Sequence, residues 1–202
     1  MKTMTYAEIK KCDNMHFLPK SIHVNKGVIL DFRLSKALGN PDPERDYKYD
    51  FDVYLPKYGI NLQRDYVWEH CQQNEFILSL LLEKPVQPIV IVQHWKNDRS
   101  SERNAVNYVI DGKQRLMTIQ KFLHDEFPIV VNGSNVYYNE FDDELKRHFN
   151  FKVNDIVAWI YYSYENNEVT DDMKIILFNY YNFAGTPQTE EHKNKLQSLL
   201  KH

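Results

Sequence analysis

The stretch Val109-Ile110-Asp111-Gly112-Lys113-Gln114-Arg115-Leu116 predicts a buried strand that ends abruptly, a sharp turn and a helix that starts at once. Residues 108–110 form a short β-rich run. Asp111-Gly112 interrupts it, because glycine adopts backbone conformations that other residues avoid. Beyond the turn, apolar residues recur at helical spacing over residues 115–124. The members of that stripe are Leu116, Ile119, Phe122 and Leu123.

The first turn of this predicted helix is a candidate anion-binding site. Its N–H groups lack intrahelical partners and carry the positive end of the helix dipole. Arg115 can grip a phosphate with two hydrogen bonds, and Lys113 can add a mobile point charge. Asp111 is the acid among them and can hold a Mg²⁺ ion that bridges phosphate oxygens. Thr118, one turn further on, can support the same ligand through its hydroxyl group.

An ordinary strand, turn and helix with two exposed cations is the alternative interpretation of the same stretch. Asp-Gly turns are common and need no ligand. That interpretation leaves unexplained why two cations stand at a helix N-terminus, where they oppose the dipole. An anionic ligand would remove the conflict.

A second candidate segment, Gln63-Arg64-Asp65-Tyr66-Val67-Trp68, precedes a predicted helix over residues 68–82. Gln63 and Arg64 can together donate several hydrogen bonds to a ligand. The alternative for Arg64 is a surface ion pair with its neighbour Asp65. Tyr66 and Trp68 can either anchor the segment by packing or stack on a base.

Strands and helices interleave along the chain, which predicts an α+β fold with a mixed sheet and surrounding helices. Further helices are expected over 4–17, 142–149 and 170–181, and further strands over 28–32, 89–92 and 153–164. The turn residues 132–135 predict a hairpin, and the polar stretch 38–52 predicts a loop. We therefore expect residues 1–50 to form an N-terminal extension packed on the core, and residues 51–202 to form the main domain.

Composition excludes several classes of protein. The 202 residues are 43% hydrophobic with a net charge of −3, so disorder and a global DNA-binding field are not expected. Two cysteines make no disulfide framework, and no apolar run approaches a membrane span or a signal peptide. We expect a cytoplasmic protein without membrane contact. The histidines show no zinc spacing, and the chain has no P-loop or Rossmann glycine motif.

Four segments in a fixed order carry a resemblance to a known family. They are residues 58–68 with Gln63-Arg64-Asp65-Tyr66-Val67-Trp68, residues 76–88 with Pro85 and Pro88, residues 110–119 with Asp111-Gly112-Lys113-Gln114-Arg115, and residues 178–191 with Asn182, Gly185, Thr186 and Pro187. Together they resemble the N-terminal domain of GmrSD-type restriction systems, whose signature contains a DGQQR motif. Two positions depart from that signature, because Lys113 replaces its first glutamine and Met117 its first threonine.

The resemblance implies a ParB/sulfiredoxin-like fold that binds and often hydrolyses nucleoside triphosphates with Mg²⁺. It assigns catalytic roles to Asp111 and Arg115, with Asp111 also as the metal ligand. Together with the residue chemistry above, it gives a set of candidate phosphate- and nucleotide-binding residues. These are Gln63, Arg64, Gly112, Lys113, Gln114, Thr118, Asn182 and Thr186.

Two functions fit the sequence. One is an NTP-hydrolysing or ParB-like nuclease domain in phage defence or DNA restriction. The other is a non-catalytic module that binds a nucleotide or DNA and regulates or inhibits a defence system, including one encoded by a phage. The resemblance places DNA cutting in a separate C-terminal HNH-type domain, and these 202 residues contain no such arrangement. We therefore expect a protein partner, and an oligomer is a further expectation.

Overall fold

The computed structural model of the protein describes residues 22–42, 48–95, 105–163 and 169–182, together with Ser198. Within those residues the chain forms five α-helices and nine strands. The strands are β1 (Ile22–Ile29), β2 (Lys48–Asp50), β3 (Tyr54–Leu55), β4 (Ile60–Asn61), β5 (Ile89–Trp95), β6 (Ala105–Asp111), β7 (Ile129–Val131), β8 (Ser134–Val136) and β9 (Val157–Ser163). The helices are α1 (Leu34–Gly39), α2 (His70–Leu81), α3 (Lys113–Leu123), α4 (Asp143–Asn154) and α5 (Asp171–Asn182). None of the helices in these residues is long and apolar enough to cross a membrane.

Five strands make one mixed sheet in the order β1-β9-β5-β6-β2. The pairs β1–β9 and β5–β6 are antiparallel, whereas β5–β9 and β2–β6 are parallel. Two small antiparallel pairs, β3–β4 and β7–β8, lie outside this sheet. A mixed sheet with flanking helices confirms the predicted α+β class. The ParB/sulfiredoxin-like assignment stays a prediction.

The central strands are buried on both faces. Along β5, Ile89 and Ile91 join one hydrophobic core, while Val90 and Val92 join the other. The first core is filled by apolar residues of α1, α2, α3 and α4, and the second by α5 and the β3–β4 pair. A strand buried on both sides needs an unbroken apolar run. This requirement explains why residues 89–92 show no alternation with polar residues.

Two elements lie in or beside residues 38–52, where the sequence predicts a polar loop: α1 overlaps its start, and β2 lies within it. Helix α1 forms over 34–39 because Leu34, Ala37 and Leu38 are buried. Strand β2 forms because it pairs with β6 in parallel register, with Asp50 opposite Tyr108. Both elements depend on tertiary contacts, which override weak local signals. The predicted division at residue 50 stays a prediction, and the predicted helix over 4–17 lies outside the described residues.

The hairpin predicted from the turn residues is confirmed. Asn132 and Gly133 both have positive φ, of 50° and 79°, and connect β7 directly to β8. Two consecutive residues of positive φ match the twist of an antiparallel pair. The connection is therefore two residues long, and Ser134 and Asn135 belong to β8.

Helix α4 begins with a side-chain cap that gives a direct test of its local stability. The Asp142 carboxylate accepts a hydrogen bond of 2.8 Å from the Leu145 N–H group. We expect Asp142→Ala to lower the free energy of unfolding by about 1 kcal/mol, the usual loss for such a cap. Urea denaturation measures it. Asp143→Ala is the control, because Asp143 is exposed in the first turn and is not the N-cap, so its loss should be about 0.3 kcal/mol. Equal losses in the two variants would contradict the capping role.

Candidate functional site

The turn between β6 and α3 strongly favours glycine. Gly112 has φ of +106°, a conformation that L side chains rarely adopt. A Cβ atom at this position would lie 2.3 Å from Cδ1 of Ile89. Gly112 is also the N-cap of α3, and no side chain caps the helix there. The sharp turn therefore leaves the first N–H groups of α3 without a capping side chain.

Asp111 and Arg115 form an ion pair at this turn. The guanidinium Nη2 lies 3.0 Å from Oδ2 of Asp111. Burial raises the pKa of Asp111, against the opposing effects of Arg115 and the Gly112 N–H group. Burial also lowers the pKa of Arg115, against the opposing effect of Asp111. Each charge thus compensates for the other's desolvation.

Arg115 also binds the backbone that leads into β5. Its guanidinium donates to the carbonyl oxygens of Gln87 and Pro88, the latter at 3.3 Å. Only 13% of the Arg115 side chain is exposed. Three acceptors therefore hold this guanidinium between the end of β6 and the start of β5.

Lys113 pairs with an acid that the sequence does not point to. Its Nζ lies 2.7 Å from Oδ1 of Asp52, and its side chain is buried. Asp52 follows β2, which is parallel to β6, so both strands end at the same edge of the sheet. The sequence gives one hint of such a partner, which is the positive charge that Lys113 adds to the motif. A lysine that becomes buried in the fold requires an anionic partner.

Gln63 precedes β6 in the chain and Asn182 follows it, and both side chains bind the end of β6. The Gln63 amide donates to the carbonyl oxygens of Val109 and Ile110, at 2.6 and 2.7 Å. The Asn182 amide donates to the Ile110 carbonyl at 3.3 Å and to Phe178 at 3.0 Å. The structure thus brings both predicted residues to the turn, where they bind backbone carbonyl groups.

Gln114 binds the segment that carries Arg64. Its Oε1 accepts from the Val67 N–H group at 2.9 Å, and its Nε2 donates to the Asp65 carbonyl at 3.0 Å. Both polar ends of the side chain are therefore engaged. The contact fixes residues 65–67 against the first turn of α3.

Thr118 contacts the same segment through Tyr66. It is fully buried, and its hydroxyl donates to the Gln114 carbonyl at 2.7 Å. The same hydroxyl shares a hydrogen bond of 2.8 Å with the Tyr66 hydroxyl. Gln73 donates to Tyr66 at 2.9 Å and so ties the network to α2.

These contacts surround a cavity of about 500 Å³. That volume lies within the range of small-molecule sites. Arg64 lines the cavity and is partly exposed, and no residue of the described ranges pairs with its guanidinium. Thr118 does not line it, and Thr186 lies outside the described residues. The lining residues are Gln63, Arg64, Trp68, Phe76, Ser79, Pro85, Val86, Gln87, Asp111, Gly112, Lys113, Gln114, Arg115, Tyr181 and Asn182.

The cavity offers few ligands to a metal ion. Asp111 is the single acid among the described residues that line the cavity. No group of three or more His, Cys, Asp or Glu side chains able to hold a metal ion occurs in the described ranges. Mg²⁺ commonly binds through one or two carboxylates together with water and substrate phosphates. Asp111 offers one carboxylate for such an ion, and its Oδ2 is already paired with Arg115.

Comparison with known proteins identifies the domain that carries this cavity. The profile of the GmrSD restriction endonuclease N-terminal domain matches residues 45–201. The chain belongs to this family. The match covers the described cavity residues and associates the chain with DNA restriction and phage defence. No curated protein and no solved structure matches the chain.

Proposed function

We propose that this GmrSD N-terminal domain binds a nucleoside triphosphate with Mg²⁺ in the cavity at the Asp111–Arg115 turn, and hydrolyses it in DNA restriction or phage defence. One observation carries the proposal. The cavity joins the uncapped N-terminus of an eleven-residue helix to Arg64, a cation without a partner among the described residues. Both features favour an anionic ligand.

The phosphate contacts divide between backbone and side chains. The N–H groups at the start of α3 supply directional donors, because Gly112 leaves them uncapped. Arg64 supplies a planar cation that can bind a phosphate with two hydrogen bonds. Lys113 and Arg115 are already paired with Asp52 and Asp111, so their charges are largely offset and Arg64 is the cation left for the phosphates.

Asp111 supports the hydrolytic part of the proposal. It is an acid where a phosphate-binding site would otherwise have only cations and N–H groups. Mg²⁺ bound there would neutralise charge on the phosphate oxygens. With the Asp111 carboxylate at one side and Arg64 at the other, this chain can orient the phosphates and the attacking water between them.

A non-catalytic binding module is the second candidate, and the state of Arg115 favours it. Three acceptors already engage the Arg115 guanidinium. An arginine held in this way positions the turn and is not free to follow charge that develops during phosphoryl transfer. Under this alternative the nucleotide switches binding to a protein or DNA partner without turnover.

Arg64→Gln tests ligand binding. We expect the affinity for a magnesium nucleotide to fall roughly 10- to 100-fold, because hydrogen bonds to a charged group contribute about 1.5–3 kcal/mol. Titration calorimetry with the magnesium complexes of ATP, GTP, CTP and UTP measures it. The thermal unfolding temperature should stay unchanged, since no described residue pairs with Arg64.

Arg147→Gln is the charge-matched control. Arg147 is an exposed residue of α4 and does not line the cavity. Its substitution changes net charge equally and should leave affinity unchanged. If wild type and Arg64→Gln bind every nucleotide with equal affinity, Arg64 is not part of the binding site.

A further inference from the structure

We propose that Trp68, supported by Phe76, binds the aromatic base of the ligand by stacking, so that the site selects nucleotides over inorganic phosphate chains. The inference rests on the proposed function, because it takes the phosphates to lie at the Asp111–Arg115 turn. It adds a base-binding site to the same cavity.

The cavity has two chemically different parts. The residues around the turn are polar or charged, whereas Trp68, Phe76, Pro85 and Val86 line it with apolar surface. A polyphosphate alone would leave this apolar part in contact with water. A ligand with an anionic end and a flat apolar end matches both parts.

A second cavity shows where the apolar part lies. It measures about 470 Å³ and shares Arg64, Trp68, Phe76 and Ser79 with the first. It contains none of residues 111–115. The four shared residues therefore form the wall between the two cavities, and Trp68 and Phe76 belong to this wall. Arg64 lies at this junction, where it can bind the phosphates while Trp68 contacts the base.

The indole of Trp68 is available to a ligand. It is partly exposed, and its contact with another described ring is an edge-to-face contact with Phe76, at 5.4 Å and 68°. By contrast, Tyr181, which also lines the cavity, packs against Trp159, Tyr161 and Tyr180. Tyr181 is part of the packed interior, so Trp68 is the better stacking surface.

The position of Trp68 is fixed relative to the phosphate turn. Gln114, in the first turn of α3, binds the Val67 N–H group beside it. Gln73 of α2 donates to the Trp68 carbonyl at 3.2 Å. Because the backbone that carries the indole is already fixed, stacking of a base on it costs less conformational entropy. The spacing between the phosphate site and the base site is thus set by Gln114.

The test compares two probes that differ in the base. We expect wild-type protein to bind Mg-ATP at least about 10-fold more tightly than magnesium tripolyphosphate, since stacking of one base contributes about 1–3 kcal/mol. Trp68→Leu should lose roughly 10- to 100-fold in ATP affinity and keep its tripolyphosphate affinity. Trp68→Phe should restore most of the ATP affinity. Phe151→Leu, an exposed aromatic outside the cavity, is the matched control.

The outcomes separate this inference from the proposed function. A variant that still binds tripolyphosphate is folded. The comparison of ATP with tripolyphosphate on the wild-type protein does not depend on any variant. Equal binding of ATP and tripolyphosphate to wild type, or full ATP affinity in Trp68→Leu, overturns the base site alone. Binding of neither probe to wild-type protein overturns the proposed function, and the base site with it.

Discussion

Gly112→Ala will lower the free energy of unfolding by about 3 kcal/mol, the sum of a strained backbone and an overpacked core. Alanine at φ of +106° is strained wherever it is placed. In addition, its Cβ would lie 2.3 Å from Cδ1 of Ile89, which is fully buried in the first core. Cγ2 of Ile89 would lie at 3.2 Å as well, so rotating the terminal methyl group away leaves a second close contact. Urea unfolding followed by circular dichroism measures the loss.

Two variants separate the strain from the overpacking. Gly133→Ala also has positive φ, but its Cβ would meet nothing within 4 Å, so it should lose only about 1 kcal/mol. Ile89→Val removes the clashing Cδ1 atom and alone should cost about 1 kcal/mol. In the double variant Gly112→Ala and Ile89→Val, the loss should be smaller than the sum of the single losses. Additive losses would show that Ile89 does not restrict Gly112.

The turn is predictable from sequence because its determinants are local. A β-rich run, Asp-Gly and a helical stripe follow one another within sixteen residues, and each element depends on its own residues. The same holds for the β7–β8 hairpin, where Asn132-Gly133 specifies the turn. These elements are found in the structure with boundaries shifted by a few residues.

The partners of the motif residues are not predictable in this way. Lys113 pairs with Asp52, which is 61 positions earlier in the chain. Gln114 binds the backbone at Asp65 and Val67, 49 and 47 positions earlier. A sequence pattern shows which side chains can bind a phosphate but not which of them the fold already engages. The motif therefore divides into residues that build the site and residues that face the cavity.

The same reasoning explains the elements found between residues 34 and 50. Strand β2 has three residues, too few for a periodic signal. Its parallel pairing with β6 becomes evident only when the sheet is assembled. Once it is paired, Asp52 is close enough to bind Lys113. A short strand at the sheet edge thus stabilises the buried lysine at the start of α3.

Asp111→Asn will reduce magnesium-dependent phosphate release from a nucleoside triphosphate by about 100-fold or more, if the acid orients water or metal at the phosphate. Nucleotide affinity should fall less than about 10-fold, because asparagine keeps the volume, Arg64 is unchanged, and the carbonyl groups of Gln87 and Pro88 still bind the Arg115 guanidinium. Steady-state phosphate release and calorimetry measure the two effects. Asp65→Asn is the control, since Asp65 is exposed and does not line the cavity.

The pH dependence of turnover gives a second measurement of the same role. Burial is the largest effect on the pKa of Asp111 and raises it, against the opposing effect of Arg115. Under the proposed function the carboxylate is the active form, so wild-type turnover should fall with decreasing pH at a value above that of an ordinary aspartate. In Asp111→Asn, the remaining turnover should no longer show this fall at low pH. Full turnover in Asp111→Asn would reject the catalytic role. Nucleotide binding by wild type without any turnover would instead favour the binding module, in which the Asp111–Arg115 pair holds the turn.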